Sequence, residues 1–253
     1  MMLEQITELM FQNQRSWLFV DELFDDPDIG DQVRSLEIDS PYQILLKRNV
    51  LAEYMQDGSL VVSYSFEAFF HYKLGQLIYN VIRHDPVNLL LSMCSQNDFD
   101  GFLESVTEAL ICCVAGSSAD VIFDVIDSDL PFVIKVRPFS YYLIYNGPAR
   151  GLSGLLENES AQDYSVLRKS IKDLEYLKST ELCGELAVAY LDWPSREVSF
   201  KYESGLWLLV ECLRYCDEKT LYAYQDILLS AIEDLPSLEY SARQDLRLEM
   251  HSI

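Results

Sequence analysis

Residues 55–66 of the 253-residue chain read MQDGSLVVSYSF, and this stretch decides the fold prediction. The Asp-Gly pair at 57–58 is one that two-residue hairpin turns favour. The run that follows, VVSYSF at 61–66, is rich in β-branched and aromatic residues, which favour a strand. The sequence therefore predicts a small β-hairpin or wing. Its partner is either a strand formed by VLAEYM at 50–55 or the end of a helix.

Helical periodicity dominates the chain around this hairpin. In residues 65–82, SFEAFFHYKLGQLIYNVI, apolar side chains recur at spacings of three and four, which indicates an amphipathic helix. Pro41 and Pro86 follow Ser40 and Asp85, as first-turn prolines follow a capping residue. We therefore predict a mainly α fold with one small hairpin.

The helical patterns after residue 85 follow one another with short polar joints. They favour helical hairpins stacked in the HEAT or TPR manner, with an irregular helical bundle as the alternative. REVSFKYE at 196–203 fits a strand and a helix equally well, and a further helical pattern runs over 221–231. The predicted organisation is an N-terminal winged-helix-like segment, 1–84, and a helical-repeat-like domain, 85–253.

Charge limits the classes of partner. The chain has 41 Asp and Glu against 19 Lys and Arg, a net charge of −22. Nucleic-acid binding needs clustered cations, and anionic membranes repel such a protein, so we expect neither partner. An acidic field attracts basic proteins. The densest acidic segment gives the predicted partner-binding residues, which are Asp21, Glu22, Asp25, Asp26, Asp28 and Asp31.

The sequence also predicts a compartment. The first residues lack the basic and apolar regions of a signal peptide, and no apolar stretch is long enough to span a membrane. The six cysteines are scattered in apolar surroundings, which is typical of reduced thiols. We expect a cytoplasmic protein.

Motifs that carry catalytic chemistry are missing. No Gly precedes a Lys, so a phosphate-binding loop of the GxxxxGK[ST] type cannot be written, and no GxGxxG occurs. The nearest approach to a nucleophile elbow is GLSG around Ser153, where the second glycine is one position too close. We expect surface or capping roles for the histidines, His71, His84 and His251. The prediction is a protein that is not an enzyme and holds no cofactor.

Metal-binding patterns are equally weak. Cys212 and Cys216 are four residues apart, without a second pair at zinc-finger spacing. Asp26, Asp28 and Glu37 occupy positions one, three and twelve of a calcium loop, but the obligatory central glycine is displaced by one residue. We therefore predict no metal site and interpret the acidic stretch as a solvated turn.

Residues 44–80, ILLKRNVLAEYMQDGSLVVSYSFEAFFHYKLGQLIYN, resemble the end of the winged-helix module of STAND-class NTPases. In that family a wing strand runs into a helix with a recurrent aromatic pattern. The matching positions here are Tyr64, Ser65, Glu67, Phe69 and Tyr72. Phe66 stands in place of the usual His and Gly75 in place of the usual Ala. The resemblance implies a module that couples a nucleotide switch to a helical-repeat sensor, although the 43 residues before this stretch are too few for the switch domain.

Two functions follow as expectations. The first is a non-enzymatic protein-interaction module, the sensor or coupling part of a STAND-like defence or signalling system. The alternative is an acidic immunity or inhibitor protein, a nucleic-acid mimic that neutralises a basic toxin or nuclease. An enzyme with an unrecognised site is a third and weaker reading. The partner in both leading cases is another protein.

Overall fold

The computed structural model describes residues 2–35, 37–96, 102–116, 119–157, 162–177, 179 and 181–191, and the positions 212, 214–216, 218, 219 and 222. Contacts divide the chain into two compact units, Met1–Cys113 and Val114–Ile253. The division predicted after residue 84 falls inside the N-terminal unit. The 196–203 pattern and most of the 221–231 pattern lie outside the described residues.

The N-terminal unit is helical around one small sheet. Its elements in chain order are α1 (Met2–Gln12), β1 (Trp17–Phe19), α2 (Val20–Phe24), α3 (Gly30–Arg34), α4 (Pro41–Lys47), β2 (Leu51–Gln56), β3 (Ser59–Tyr64), α5 (Glu67–Ile82), α6 (Pro86–Gln96) and α7 (Leu103–Val114), which ends at the unit boundary. The predicted hairpin and the helix after it are thus confirmed, and the partner of β3 is a strand.

The sheet has the order β1-β3-β2, and both pairings are antiparallel. Leu18 pairs with Val62, which places β1, the first strand in the sequence, beside β3, the last. Leu18 and Val62 are fully buried and face the helices. The sheet therefore brings together residues almost fifty positions apart in the sequence. β1 and β2 are its two edge strands.

Local chemistry explains the hairpin and the helix that precedes it. Asp57 and Gly58 have φ values of 51° and 83°, as a type I′ turn requires. Ser40 caps α4, because its Oγ accepts a hydrogen bond from Gln43 N–H at 3.3 Å, and Pro41 occupies the first turn. The Asp-Gly pair and the Ser-Pro pair are both visible in the sequence, and each determines the structure of only the few residues around it.

Aromatic packing joins β3 to α5. The Tyr64 ring meets the Phe69 ring edge-on, with the centroids 5.7 Å apart, and lies 5.6 Å from the Phe70 ring. The Tyr64 hydroxyl is also 2.5 Å from the buried Thr7 Oγ1 on α1. These contacts fix the wing to the helical part of the unit.

In its described residues, the C-terminal unit consists of helices and the turns between them. Its elements are α8 (Val121–Asp127), α9 (Val133–Asn146), α10 (Pro148–Glu157), α11 (Gln162–Tyr176) and α12 (Glu181–Leu191). α8 packs on α9, α9 on α10 and α11 on α12, and α9 also packs on α11, as α10 does on α12. Gly147, with φ of 88°, ends α9, and Pro148 starts α10, which gives a sharp joint between them.

None of the helices in the described ranges is long and apolar enough to cross a membrane.

Candidate functional site

Two of the six predicted partner-binding acids, Glu22 and Asp26, form hydrogen bonds within the N-terminal unit. The Glu22 carboxylate accepts from Phe19 N–H at 2.8 Å and pairs with the Arg15 guanidinium at 2.6 Å. Arg15 itself lies over the Trp17 ring, 4.6 Å from its centroid. Asp26 Oδ1 accepts from the backbone N–H of Ile29 at 3.1 Å and so organises the turn into α3. Both acids support local structure.

The other four acids are exposed, and they are Asp21, Asp25, Asp28 and Asp31. Arg34 pairs with two of them, at 3.5 Å from the Asp31 carboxylate and 4.0 Å from that of Asp25. These pairs are exposed and contribute little to stability. The structure therefore places four solvated carboxylates on α2, α3 and the turn between them. Whether they bind a partner stays a prediction.

The acidic surface extends beyond that segment. A cleft of about 670 Å³ lies in the N-terminal unit and is lined by Glu4 and Glu8 of α1 and by Asp28. Leu77 of α5 and Pro41 of α4 supply apolar walls. Glu4 and Glu8 are four residues apart and so lie on one helix face. The sequence reasoning singled out Asp28 but not the two acids of α1.

Three exposed apolar side chains lie on the hairpin of residues 51–64, which we call the wing. Met55 is 65% exposed, Tyr54 42% and Leu60 40%. Met55 and Leu60 are opposite each other across the two strands, so they form one continuous apolar surface at the tip. Soluble proteins seldom leave such neighbouring apolar groups exposed without a binding role.

The prediction of a surface or capping role was wrong for His71. His71 is buried on α5, and its Nδ1 is 2.9 Å from Ser105 Oγ on α7. Its Nε2 faces the carboxylates of Glu67 and Glu104 at 3.7 and 3.6 Å. This Ser, His and Glu arrangement is unsuited to nucleophilic catalysis, because the Ser105 hydroxyl is fully buried. His71 and Ser105 join α5 to α7. His84 is exposed, as expected, and His251 lies outside the described residues.

Cysteines form no metal cluster in the described part of the chain, where no group of three or more His, Cys, Asp or Glu side chains is arranged to hold an ion. Cys113 is buried, and burial raises the pKa of its thiol to about 12. Such a thiol is protonated near neutral pH and is a poor nucleophile or ligand. Cys183 and Cys212 are buried as well.

Tyr64 and Tyr142 also have raised pKa values. Burial raises the pKa of Tyr64 to about 12, against a lowering effect of its hydrogen bond with Thr7. Burial, and then a hydrogen bond donated to Asp120 at 2.9 Å, raise the pKa of Tyr142 to about 12. Arg150 NH2 holds the same carboxylate at 2.6 Å. Each phenol is therefore more stable in its neutral form when the protein is folded.

We expect stability to fall between pH 10 and pH 12 because of these phenols. An unfolded tyrosine ionises near pH 10, whereas Tyr64 and Tyr142 ionise near 12 in the folded protein. The stabilisation is complete below the unfolded pKa and is lost as pH rises through the folded one. Urea unfolding across this range measures it, and Tyr142→Phe should make the decline shallower. An equally steep decline in Tyr142→Phe and in wild type would contradict the expectation.

Comparison with protein-family models, with characterised proteins and with solved structures found no match for this chain. The geometry of the wing and of the acidic surface therefore carries the functional argument.

The sequence reasoning did not single out the apolar wing. Its signal was present, since LAEYMQ and SLVVSY place apolar residues on both faces of the hairpin. In a hairpin with a polar outer face, apolar and polar residues alternate more strictly along each strand.

Proposed function

We propose that the chain is a non-enzymatic protein-interaction module and that its partner contacts the wing. The observation that carries this proposal is the exposure of Tyr54, Met55 and Leu60 on a hairpin that packing with α5 holds in place. A rigid element with exposed apolar and aromatic groups gives affinity at a low cost in conformational entropy.

The arrangement of the N-terminal unit supports a winged-helix module as the finer description. α1 and the short strand β1 come first, and α2, α3 and α4 follow. α4 leads into the β2–β3 hairpin, and β3 pairs with β1. In this interpretation α4 corresponds to the helix beside the wing. Tyr42 of α4 donates to Glu53 of β2 at 2.7 Å, which ties the two together. The burial of Tyr42 and this bond raise its pKa.

The packing of the C-terminal unit supports stacked helical hairpins. In a stack of two hairpins, the first helices of each contact one another, and so do the second helices. The contacts of α9 with α11 and of α10 with α12 follow this rule, while α9–α10 and α11–α12 form the hairpins. With the winged-helix arrangement, this is the order that the resemblance to STAND-class NTPases implies. We propose that the chain serves as a coupling or sensor part in a system of that kind.

Charge favours a protein partner over nucleic acid for the wing surface. Residues 51–64 contain two carboxylates, Glu53 and Asp57, and no Lys or Arg. A wing that contacts phosphates needs cations at its tip. Apolar groups beside carboxylates fit a protein surface that presents both apolar and basic residues.

Site-specific crosslinking tests the proposal. A photo-reactive amino acid is placed at position 55 of the full chain, and at position 83, an exposed position on the same unit, as the control. We expect a crosslinked partner protein from position 55 alone. The purified partner should then bind Met55→Ser/Leu60→Ser at least ~10-fold more weakly than wild type, because hot-spot apolar groups are lost. Val81→Ser, which removes an exposed apolar group outside the wing, should bind normally.

The four exposed acids favour the alternative function, an acidic inhibitor of a basic toxin or nuclease. The same experiment separates the two. A third crosslinker at position 21 should capture the partner if the acidic segment is the contact, and binding should then weaken steeply with salt. Capture from position 21 and not from position 55 would contradict the wing proposal.

A further inference from the structure

The wing has an open backbone edge. β2 pairs with β3 on one side, and no strand in the described residues pairs with its other side. Its middle residues, Glu53, Tyr54 and Met55, are exposed. β2 is six residues long, and because Leu51 at its start is buried, the accessible part of the edge is residues 53–55.

The register of the hairpin fixes which backbone groups face that edge. Ser65 N–H donates to the Val50 carbonyl at 3.0 Å, and hydrogen-bonded pairs of an antiparallel ladder recur at every second residue. The residues of β2 that bond to β3 are therefore 52, 54 and 56. Those that direct their N–H and C=O groups to the open edge are 51, 53 and 55.

Edge strands usually carry a feature that blocks further pairing, such as a Lys, a Pro or a bulge. β2 reads LAEYMQ, without Lys or Pro, and its pairing with β3 is continuous from Leu51 to Gln56. Tyr54 and Met55 project to opposite faces, so each face of an added strand would meet an exposed apolar group. The edge combines free backbone groups with side-chain contacts.

Charge selects the occupant of the edge. Glu53 and Asp57 give residues 51–64 a negative charge, and this stretch contains no Lys or Arg. A second copy of the chain would bring its own carboxylates to the same edge and would add another −22 charges. An extended segment with Lys or Arg side chains is attracted instead.

We propose that the β2 edge binds an extended, Lys- or Arg-containing segment of a partner protein by β-strand addition. Backbone groups of Glu53 and Met55, which are exposed, supply the hydrogen bonds, and Tyr54 and Met55 supply contacts on the two faces. This inference rests on the proposed function, because it assigns a binding mode to the wing.

A pair of variants at one position tests this mode. Peptides of about ten residues are selected from a display library against the full chain, and the tightest binder is the probe. Met55→Ala and Met55→Pro both remove the side chain, but only the proline removes the N–H group directed to the open edge. Proline is tolerated at such edge positions. We expect a Lys- or Arg-rich probe that binds Met55→Pro at least ~10-fold more weakly than Met55→Ala.

The outcomes separate this inference from the proposed function. Equal weakening by the two variants would overturn strand addition and leave the wing as the contact surface. Binding that neither variant changes would overturn both. A dimer that Met55→Pro dissociates would make a second copy the occupant, and a probe without basic residues would overturn the charge argument. If Met55→Pro does not fold, two N-methylated forms of the probe replace the variant, one methylated at the odd-numbered amides and one at the even-numbered amides. We expect only one of the two forms to lose binding, because only every second amide of an added strand bonds to β2.

Discussion

Replacing Gly75 with Ala should destabilise the N-terminal unit by about 2 kcal/mol, although alanine is the better helix former by ~1 kcal/mol. Gly75 is buried on α5 where that helix meets α7. A Cβ atom there would lie 2.7 Å from Glu108 Cβ and 2.9 Å from the Ser105 carbonyl oxygen. A backbone oxygen cannot move aside as a flexible side chain can, so the two helices must separate. The expected fall in Tm is on the order of 10 °C.

Asn80→Ala is the matched control, because Asn80 is on the same helix and exposed. It brings the gain in helix propensity without the clash and should leave the Tm unchanged or raise it slightly. Equal Tm values for Gly75→Ala and wild type would show that α5 and α7 do not approach as closely as described. The His71–Ser105 hydrogen bond crosses the same contact, so separation of the helices should also expose His71 to solvent.

Features that depend on a few adjacent residues could be predicted from the sequence. The Asp57–Gly58 turn and the Ser40–Pro41 start of α4 are specified by local backbone and capping chemistry, and the structure has both. The strand Trp17–Phe19 was not predicted. It has three residues and exists because it pairs with β3, more than forty residues later. Non-local pairing leaves little trace in such a short stretch.

The candidate site shows the same limit. The acidic segment was visible in the sequence, but the internal use of Glu22 depends on Arg15 and the start of α2. The burial of His71 depends on Ser105, which is 34 residues away. The exposure of Met55 and Leu60 depends on how far the helices extend over the sheet. Helical periodicity predicts which face of a helix is apolar but not which neighbour covers it.

Lys135→Met should destabilise the C-terminal unit by about 3 kcal/mol. Lys135 is on α9 and only 3% exposed. Its ammonium group donates to the Ile126 carbonyl at 2.7 Å and to the Ser128 carbonyl, and so caps the C-terminal end of α8. A cation is favoured at that end of the helix dipole, and hydrogen bonds from a charged donor contribute about 1.5–3 kcal/mol each. Methionine fills a similar volume but leaves both carbonyls without this donor. Part of this loss of stability is offset, because methionine does not require a charged group to be buried.

Thermal unfolding and urea unfolding of the full chain measure this effect, with Lys169→Met as the control. Lys169 is exposed on α11. Its substitution removes the same charge without affecting a buried group, so the free energy of unfolding should stay within ~0.5 kcal/mol of the wild-type value. The transition assigned to the C-terminal unit should move in Lys135→Met, while the wing variants should leave it in place. Equal stabilities for the two lysine variants would mean that the α8 carbonyls bind water as readily as they bind Lys135, and packing with α9 and α11 would then hold α8 in place. The buried carbonyls make the first result the expected one, because unsatisfied buried acceptors lose about 1–3 kcal/mol each.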